Sequence, residues 1–316
     1  MNGRSIWIIE PGPLATVQDR GRYGYRSRGV PLSGAMDIQA FRVGNLLVGN
    51  DDAAAGIEIT FGGFRVEFRC DACFALTGAT AGGRLNGALA ASWRAHPARK
   101  GDVLHVDAGG AGLRTYFAVS GGIELPPVME SRSTYLRGGF GGLDGRALRA
   151  GDELPLGARP GKAKDAPAPA ALIPSYSPEP LLRAVPGPQD DRISPEGKAI
   201  FFSKWYAVTT RADRMGIALS GPVLDLPGGA DIISDGTCPG AVQVHGNGQP
   251  TILGADCQTT GGYVKIAVVI SSDLPLVAQL APGDRVRFEE IDLWRAREIY
   301  LRNEYLIRAT CSLRIC

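Results

Sequence analysis

The sequence predicts a mostly β protein with few helices, and three observations carry this prediction. The 316 residues include 43 glycines and 22 prolines. These have no three-residue period, so they indicate dense turns rather than a collagen-like chain. Apolar residues fall in short alternating runs that are typical of strands. Stretches with helical periodicity are rare. Turn-rich chains with these features are built as sheets or barrels.

The short apolar runs give the individual strands. Ile57–Phe68 alternates imperfectly around Gly62 and Gly63. We predict strands at Val103–Val106, Leu113–Val119, Gly240–Val244, Gly262–Ile270 and Arg285–Phe288. A Gly-Asp pair stands before a short strand three times, at Gly101, Gly151 and Gly283. The repeated pair fits a turn that enters a barrel edge, and it indicates two related β domains.

Two segments have helical spacing. The first is Ala35–Gly49, for which Ser33 is a candidate N-cap and Gly49 a stop. The second is Asp292–Arg308, where apolar residues alternate with charges. It reads as an amphipathic helix that docks on its own domain or on a partner.

A Pro- and Ala-rich stretch divides the chain. Such a composition is typical of an extended connector. We therefore predict an N-terminal β-barrel-type domain at 1–157, a linker at 158–180, a C-terminal β-barrel domain at 181–290, and a C-terminal helix and tail at 291–316.

The charge balance excludes some classes of partner. There are 34 basic and 32 acidic side chains, and the net charge is +2. This gives no general attraction to nucleic acid or to an anionic membrane. The apolar run Ile6–Ile9 is too short for the core of a signal peptide. We expect a cytoplasmic protein.

The first candidate site is an Arg- and Gly-rich segment before the predicted helix. Glycines let a ligand approach the backbone, and arginine forks bind carboxylate or phosphate. A helix N-terminus also favours anions. The alternative is a solvated loop. The candidate residues are Gln18, Asp19, Arg20, Arg22, Ser33 and Asp37.

The second candidate is the pair Asp213-Arg214. Neighbouring residues cannot share one face of a strand, so each side chain would point to a different partner. A salt bridge between the two across a hairpin is the structural alternative.

The third candidate combines Gln243 with the segment Gln258–Tyr263. Amide and hydroxyl groups beside a double glycine suit a polar ligand such as an amide or a carboxylate. A turn whose hydroxyls bond the local backbone is the alternative. The candidate residues here are Gln243, Gln258, Thr259, Thr260 and Tyr263.

Two kinds of site are missing from the sequence. The three histidines, His96, His105 and His245, have no metal-ligand spacing, so we predict no metal site. The chain also has no Gly-x-x-x-x-Gly-Lys-Ser/Thr motif, so it offers no P-loop of its own.

Several motifs together resemble one known family. They are TVQDRGRYGYRSRGVPLSGAMD, LVGN, IEIT, LTGA, YFAVSGGI, SRST, PGPQDD, DRMGIAL, GAVQV, QTTGGY and PGDRVRF, in this order up to about residue 290. The chain resembles the KipA, or allophanate hydrolase subunit 2, family. That family includes the C subunit of bacterial 5-oxoprolinase and part of the carboxyltransferase region of urea carboxylase.

The resemblance implies cyclophilin-like β-barrel units and an enzyme subunit that works with partners. It implies a KipI, or allophanate hydrolase subunit 1, type of partner and a LamB/YcsF-like subunit. Members similar to the 5-oxoprolinase subunit act in ATP-dependent opening of a cyclic amide to glutamate. We expect this function, with ATP and Mg²⁺ at the level of the complex and little activity in the isolated chain.

Within the resemblance, four residues are candidates for catalysis. Arg20, Arg22 and Arg214 would stabilise phosphoryl charge. Asp19, Asp37 or Asp213 would orient the lactam N–H or hold Mg²⁺. The catalytic set is Asp19, Arg20, Asp213 and Arg214, and the other candidates would bind substrate.

Two alternatives remain open within the same family. One is a biotin-dependent carboxyltransferase subunit acting on urea-like amides. Because the chain has no biotin-attachment Met-Lys-Met, its carboxybiotin would sit on a separate carrier. The other is a non-enzymatic, KipA-like antagonist of a kinase inhibitor. His245, Ala212 and Met129-Glu130 depart from the family pattern, and His245 bears most on the substrate.

Overall fold

A computed structural model describes residues 3–79, 82–158, 163 and 166–312 of the chain. The chain divides into two compact units. The first unit comprises Met1–Arg22, Ser33–Ser175 and Leu306–Cys316, and the second comprises Tyr23–Leu32 and Tyr176–Tyr305. None of the helices in the described part is long and apolar enough to cross a membrane.

The first unit contains two antiparallel sheets. Its strands are β1 (Ser5–Glu10), β2 (Leu14–Gln18), β3 (Gly56–Thr60), β4 (Phe64–Phe68), β5 (Ala72–Gly78), β6 (Gly83–Leu85), β7 (Ala88–Ala90), β8 (Ala95–Ala98), β9 (Val103–Val106), β10 (Arg114–Val119) and β11 (Glu153–Pro155). One sheet has the order β11-β1-β4-β9-β6-β7, and the other has the order β2-β3-β10-β5-β8. Apolar residues of both sheets form one core that contains Phe64, Phe68, Phe74 and Phe117.

The second unit contains a closed barrel. Its strands are β12 (Leu181–Pro186), β13 (Tyr206–Ala212), β14 (Gly216–Ser220), β15 (Asp231–Gly236), β16 (Ala241–Val244), β17 (Pro250–Leu253), β18 (Thr260–Val269) and β19 (Arg285–Glu290). They follow the order β12-β19-β13-β14-β17-β16-β18-β15, and β12 also pairs with β18, which closes the ring. The barrel core includes Phe201 stacked on Phe288, with 4.3 Å between ring centroids.

The α-helices of the described residues are α1 (Ile38–Leu47), α2 (Pro195–Ser203), α3 (Leu274–Ala278) and α4 (Leu293–Ser312). The mostly β fold class with few helices and a C-terminal helix is therefore confirmed. On α4, five large apolar side chains are exposed to solvent: Leu293, Trp294, Tyr300, Leu301 and Tyr305.

One local prediction needs correction. Helix α1 is capped by Asp37, whose carboxylate accepts the Ala40 N–H at 2.9 Å, and not by Ser33. Ser33 lies four residues upstream of the cap with φ +55°. The imperfectly alternating stretch Ile57–Phe68 forms two strands, β3 and β4, in different sheets. Gly62 and Gly63 separate them with φ of +66° and +69°.

The three Gly-Asp pairs form the same turn. Their glycines, Gly101, Gly151 and Gly283, have φ of +91°, +92° and +98°. In each turn the aspartate carboxylate accepts the N–H of the residue three positions earlier, at 2.7, 2.7 and 2.8 Å. Each turn leads directly into a strand, β9, β11 or β19. The turn that the sequence predicted at these positions is confirmed.

Candidate functional site

Asp19 joins two of the sequence motifs within the first unit. Its carboxylate accepts the Gly21 N–H at 2.8 Å, the Ser131 hydroxyl at 2.8 Å and the Arg132 N–H at 2.6 Å. The Ser133 hydroxyl donates to it as well. The side chain is buried. Asp19 therefore fixes the SRST loop against the Arg- and Gly-rich segment.

The two arginines that follow Asp19 have different surroundings. Arg22 is fully buried, and its guanidinium donates to the carbonyls of Val128 and Ser133 at 3.0 and 2.8 Å. Its Cζ also lies 4.9 Å from the centre of the Phe140 ring. Arg20 is exposed, and its guanidinium forms a 3.4 Å ion pair with Asp52. Of the two, Arg20 is the one that a ligand in solvent reaches.

Gln18, Ser33 and Asp37 all lie buried in the first unit. The Gln18 amide donates to the Thr16 hydroxyl at 3.0 Å and to the Thr134 carbonyl at 3.2 Å. Among the described residues, its Oε1 atom and the Ser33 hydroxyl have no hydrogen-bond partner.

Asp37 belongs to a buried polar network at the start of α1. Its N–H donates to the Tyr116 hydroxyl at 2.7 Å, and that hydroxyl donates to Glu58 at 2.8 Å. Burial, and then the charges of Glu58 and Asp37, raise the pKa of Tyr116 well above its usual value. Tyr116 is therefore a stable hydrogen-bond donor at any physiological pH.

Asp213 and Arg214 contact different partners within the second unit, although both lie in the turn between β13 and β14 and not in a strand. The Asp213 carboxylate accepts the N–H groups of Met215 and Gly216 at 2.7 and 3.1 Å, so it closes the β13–β14 hairpin. Arg214 is buried and forms a two-pronged ion pair with Asp256 at 2.9 and 3.0 Å. The alternative of a salt bridge between Asp213 and Arg214 is wrong.

A polar row crosses one face of the barrel in the second unit. The strand register places Gln243 of β16 opposite Lys265 of β18 on one side and opposite Thr251 of β17 on the other. Thr251 in turn lies opposite Ala218 of β14. Because directly opposed residues of antiparallel strands point to the same face, the three polar side chains form one row that ends at Ala218.

Further polar groups join this row around Gln243. The Gln258 amide donates to Gln243 Oε1 at 3.2 Å, and the Thr237 hydroxyl donates to the Gln258 carbonyl. Arg26 Nη2 donates to the Thr237 carbonyl at 2.5 Å. We call Arg26, Thr237, Gln243, Gln258, Gly261 and Lys265 the Gln243 cluster. All of these residues lie in the second unit.

Two buried donors of the Gln243 cluster, which we call the open donors, have no hydrogen-bond partner among the described residues. Gln243 is 1% exposed, yet its Nε2 atom has no hydrogen-bond partner in the described part of the chain. The buried Nη1 atom of Arg26 lacks one as well. A Cβ on Gly261 would lie 2.6 Å from Gln243 Nε2, so only glycine leaves room beside that atom. Buried donors without partners are costly, and an acceptor-bearing ligand would satisfy them.

Lys265 supplies a buried positive charge to the same cluster. Its side chain is 3% exposed, and Nζ contacts the Asp235 carboxylate at 3.2 Å. Gln189 of the PGPQDD motif donates to the same carboxylate at 3.3 Å and accepts the Lys265 N–H at 3.3 Å. The Gly236 N–H and then Lys265 hold the pKa of Asp235 below its usual range.

The remaining candidates of this segment contribute less directly. Thr259 provides its carbonyl to the Thr237 N–H at 3.1 Å, and Thr260 is exposed at the start of β18. Tyr263 is 38% exposed, and its ring centre lies 4.7 Å from that of His245 in an edge-to-face contact. Burial raises the pKa of the neighbouring thiol of Cys257, against the opposing charge of Arg26.

The carboxylates predicted to orient the lactam or to hold Mg²⁺ accept protein donors. Asp19, Asp37 and Asp213 each accept N–H groups of the protein. The described residues also contain no group of three or more His, Cys, Asp or Glu side chains that could hold a metal ion. We assign no step to a metal held by this chain.

The sequence interpretation missed several members of the Gln243 cluster. Lys265 was detectable, because a lysine within the apolar strand GGYVKIAVV is unusual unless it has a buried partner. Gln189 lies in the PGPQDD motif, to which the sequence alone assigned no role. Arg26 and Thr237 had no such signal, since only the fold brings residues 211 positions apart into contact.

The comparisons with known proteins agree with this architecture. The profile of the family described as "Carboxyltransferase domain, subdomain A and B" matches residues 28–290. The chain belongs to this carboxyltransferase domain family. The carboxyltransferase part of the resemblance is thus confirmed, while the KipA and allophanate hydrolase designations stay predictions.

Named relatives of this carboxyltransferase domain chain are enzyme subunits or enzymes. It is 41% identical over 290 residues to the C subunit of 5-oxoprolinase from Escherichia coli strain K12, covering 92% of each chain. It is 36% identical over 303 residues to the Haemophilus influenzae protein of the same name, covering 95% of each. The crystal structure of Kluyveromyces lactis urea carboxylase superposes with a TM-score of 0.93 at 31% identity, covering 97% of this chain and 29% of that one.

Proposed function

We propose that this chain is a subunit of a heteromeric, ATP-dependent 5-oxoprolinase that opens the cyclic amide 5-oxo-L-proline to L-glutamate. The observation that carries the proposal is the pair of open donors in the Gln243 cluster, Gln243 Nε2 and Arg26 Nη1. Similarity to two 5-oxoprolinase C subunits over nearly the whole chain supports it.

The open donors match the chemistry of a lactam. The carbonyl oxygen of an amide accepts two hydrogen bonds and gains negative charge as the carbonyl carbon is attacked. Gln243 Nε2 and Arg26 Nη1 would bind that oxygen and stabilise its developing charge. Lys265, whose ammonium group contacts Asp235 at 3.2 Å, lies on β18 directly opposite Gln243.

The rest of the machinery belongs to the complex. Activation of the poorly reactive lactam carbonyl requires ATP with Mg²⁺, and no residue of this chain is assigned to either. A KipI-like subunit and a LamB/YcsF-like subunit would complete the enzyme, which we place in the cytoplasm. The isolated chain would then bind substrate but turn little of it over.

Carboxyl transfer to a urea-like amide is the second candidate. The match to the carboxyltransferase domain family and the similarity to a urea carboxylase structure favour it. The oxygen of a ureido group is also an acceptor, so the two open donors fit carboxybiotin on a separate carrier as well as they fit a lactam. When bound, that group would supply the transferable carboxyl group.

Reconstitution of the complex separates the two candidates. This chain is co-expressed with its KipI-like and LamB/YcsF-like partners, and glutamate release from 5-oxo-L-proline is measured with and without ATP. The proposal predicts ATP-dependent glutamate release that requires all three chains. A verified complex without turnover would contradict it, and carboxylation of urea by a carboxybiotin carrier would then be assayed.

A further inference from the structure

A polar cavity lies on the same barrel face as the Gln243 cluster. It has a volume of about 290 Å³. Its polar lining consists of Arg211 on β13, Thr251 on β17, and three residues of the turn between β16 and β17. These three are His245, Asn247 and Gln249. Nothing in the proposed lactam chemistry uses these residues.

Two contacts link this cavity to the Gln243 cluster. Thr251 is the cross-strand neighbour of Gln243, and adjacent strands lie only about 5 Å apart. His245 follows Gln243 by two positions, and its ring contacts Tyr263, which lies between Gly261 and Lys265 along β18. Thr251 therefore belongs both to the row that contains Gln243 and to the lining of this cavity.

The cavity carries one uncompensated positive charge. Within the described residues, the Arg211 guanidinium forms no hydrogen bond or ion pair with another side chain. His245 bonds the Thr251 hydroxyl at 3.0 Å through Nε2. Burial, and then the charge of Arg211, lower the pKa of His245 below its usual value, so its ring is neutral at pH 7.

We infer that this cavity is a carboxylate subsite for the ligand whose amide oxygen binds at the Gln243 cluster. The inference rests on the proposed function and names the residues that would bind the carboxylate of 5-oxo-L-proline. A single arginine beside a hydroxyl and a neutral imidazole matches a monoanion. A phosphate, with up to two charges, would call for more cations or for a helix N-terminus.

The subsite makes a prediction for binding to the full chain. The probes are L-5-oxoproline, its neutral analogue 2-pyrrolidinone, and inorganic phosphate, each titrated while the ring protons of His245 are followed by NMR. Arg211→Gln should weaken L-5-oxoproline binding by about tenfold or more, because a hydrogen bond to a charged group is lost. Binding of 2-pyrrolidinone should change by less than about twofold. The matched control is Arg84→Gln, an exposed arginine of the first unit.

The pH dependence gives a second readout. The groups known to face His245 are Arg211 on β13, Thr251 on β17 and Tyr263 on β18, and none of them is an acid. Protonation of His245 therefore adds a second positive charge for the carboxylate. Binding of L-5-oxoproline, measured for this comparison by calorimetry, should tighten as the pH falls below the usual pKa of a histidine, and His245→Asn should remove this trend.

Failure of the subsite and failure of the proposed function give different results. If Arg211→Gln binds L-5-oxoproline and 2-pyrrolidinone in the wild-type ratio, the subsite is excluded even if the complex turns substrate over. If the wild-type complex has no turnover but the isolated chain shows Arg211-dependent binding of L-5-oxoproline, the subsite stands and the 5-oxoprolinase proposal fails. Tighter binding of phosphate than of L-5-oxoproline would overturn the assignment to a carboxylate.

Discussion

At the scale of single residues, the charged side chains separate into those that hold the fold and those that are open to a ligand. Asp19, Arg22 and Arg214 are buried and bonded to protein groups. Gln243 and Arg26 keep a donor unpaired. Unpaired donors are costly to the folded state, whereas bonded ones contribute to it. The two groups should therefore respond differently to substitution.

The buried pair Arg214–Asp256 gives the first prediction. Arg214→Met leaves the Asp256 carboxylate, which is 4% exposed, without its cation. We expect a loss of about 3–5 kcal/mol in the free energy of unfolding, measured with urea. The double variant Arg214→Met/Asp256→Leu should recover most of it. Arg295→Ala, which removes an exposed ion pair with Glu298, should cost under about 1 kcal/mol. Equal losses for the buried and exposed variants would contradict this role.

Arg20 gives the second prediction, of the opposite kind. Its side chain is 41% exposed and makes a 3.4 Å ion pair with Asp52, so Arg20→Ala should change the free energy of unfolding by under about 1 kcal/mol. If Arg20 acts in catalysis, this variant assembles normally and loses most turnover of the complex. Normal turnover, or a complex that no longer assembles, would contradict a catalytic role for Arg20. Co-purification of the subunits and glutamate release are the two measurements.

The sequence allowed some of these residues to be predicted and hid others. Gln243 interrupts the apolar run GAVQV, and Gln258 begins the polar segment before a double glycine, so both were predicted as candidates for one site. The buried state of Arg22 and Arg214 was not predicted, because burial of an arginine depends on carbonyls and carboxylates that other parts of the chain supply. From the local sequence alone, a charged residue is predicted to be exposed, because its buried partner is not visible there.

At the scale of elements, the Gly-Asp turns show which local signals are reliable. The turn needs a positive φ at glycine and a carboxylate that accepts an N–H three residues earlier, and both requirements are local. Helix α3 escaped prediction, because a five-residue helix that begins Leu274-Pro275 is too short to show a periodic pattern. The interruption of the alternation at Gly62 and Gly63 was visible in the sequence, but the change of sheet at this point was not.

One of these turns gives the third prediction. Gly283 has φ +98°, and a Cβ there would meet no atom within 4 Å, so substitution strains only the backbone. Gly283→Ala should lower the free energy of unfolding by about 1–2 kcal/mol. Gly246→Ala is the matched control, because that glycine has open space and no positive φ. The urea midpoints of the two variants should differ, and coincident midpoints would show that the turn tolerates a side chain.

At the scale of the whole molecule, the chain crosses between the two units more often than a linear reading suggests. Residues Tyr23–Leu32 belong to the second unit, although the sequence on both sides belongs to the first. The Arg-rich motif is therefore shared, with Arg20 and Arg22 in one unit and Arg26 in the other. No local composition signal marks this excursion, since it depends on contacts such as the one between Arg26 and Thr237.

The polar face of the barrel also belongs to this scale. It brings together residues from PGPQDD, GAVQV and QTTGGY, motifs that are far apart in the chain. Strand order explains the convergence, because β16 and β12, the strand at whose end PGPQDD begins, both pair with β18. The account therefore makes Gln243, in the middle of that face, the central residue for substrate binding.

Glutamate release by the reconstituted complex with Gln243→Leu tests this claim most directly. Gln39→Leu is the matched control, because Gln39 lies in the first unit and bonds the Leu172 carbonyl. The account predicts that Gln243→Leu assembles normally and lowers kcat/KM about 10- to 100-fold, since one buried hydrogen bond to the reacting group is lost, while Gln39→Leu retains wild-type activity. Wild-type kcat/KM in the Gln243→Leu complex would contradict it.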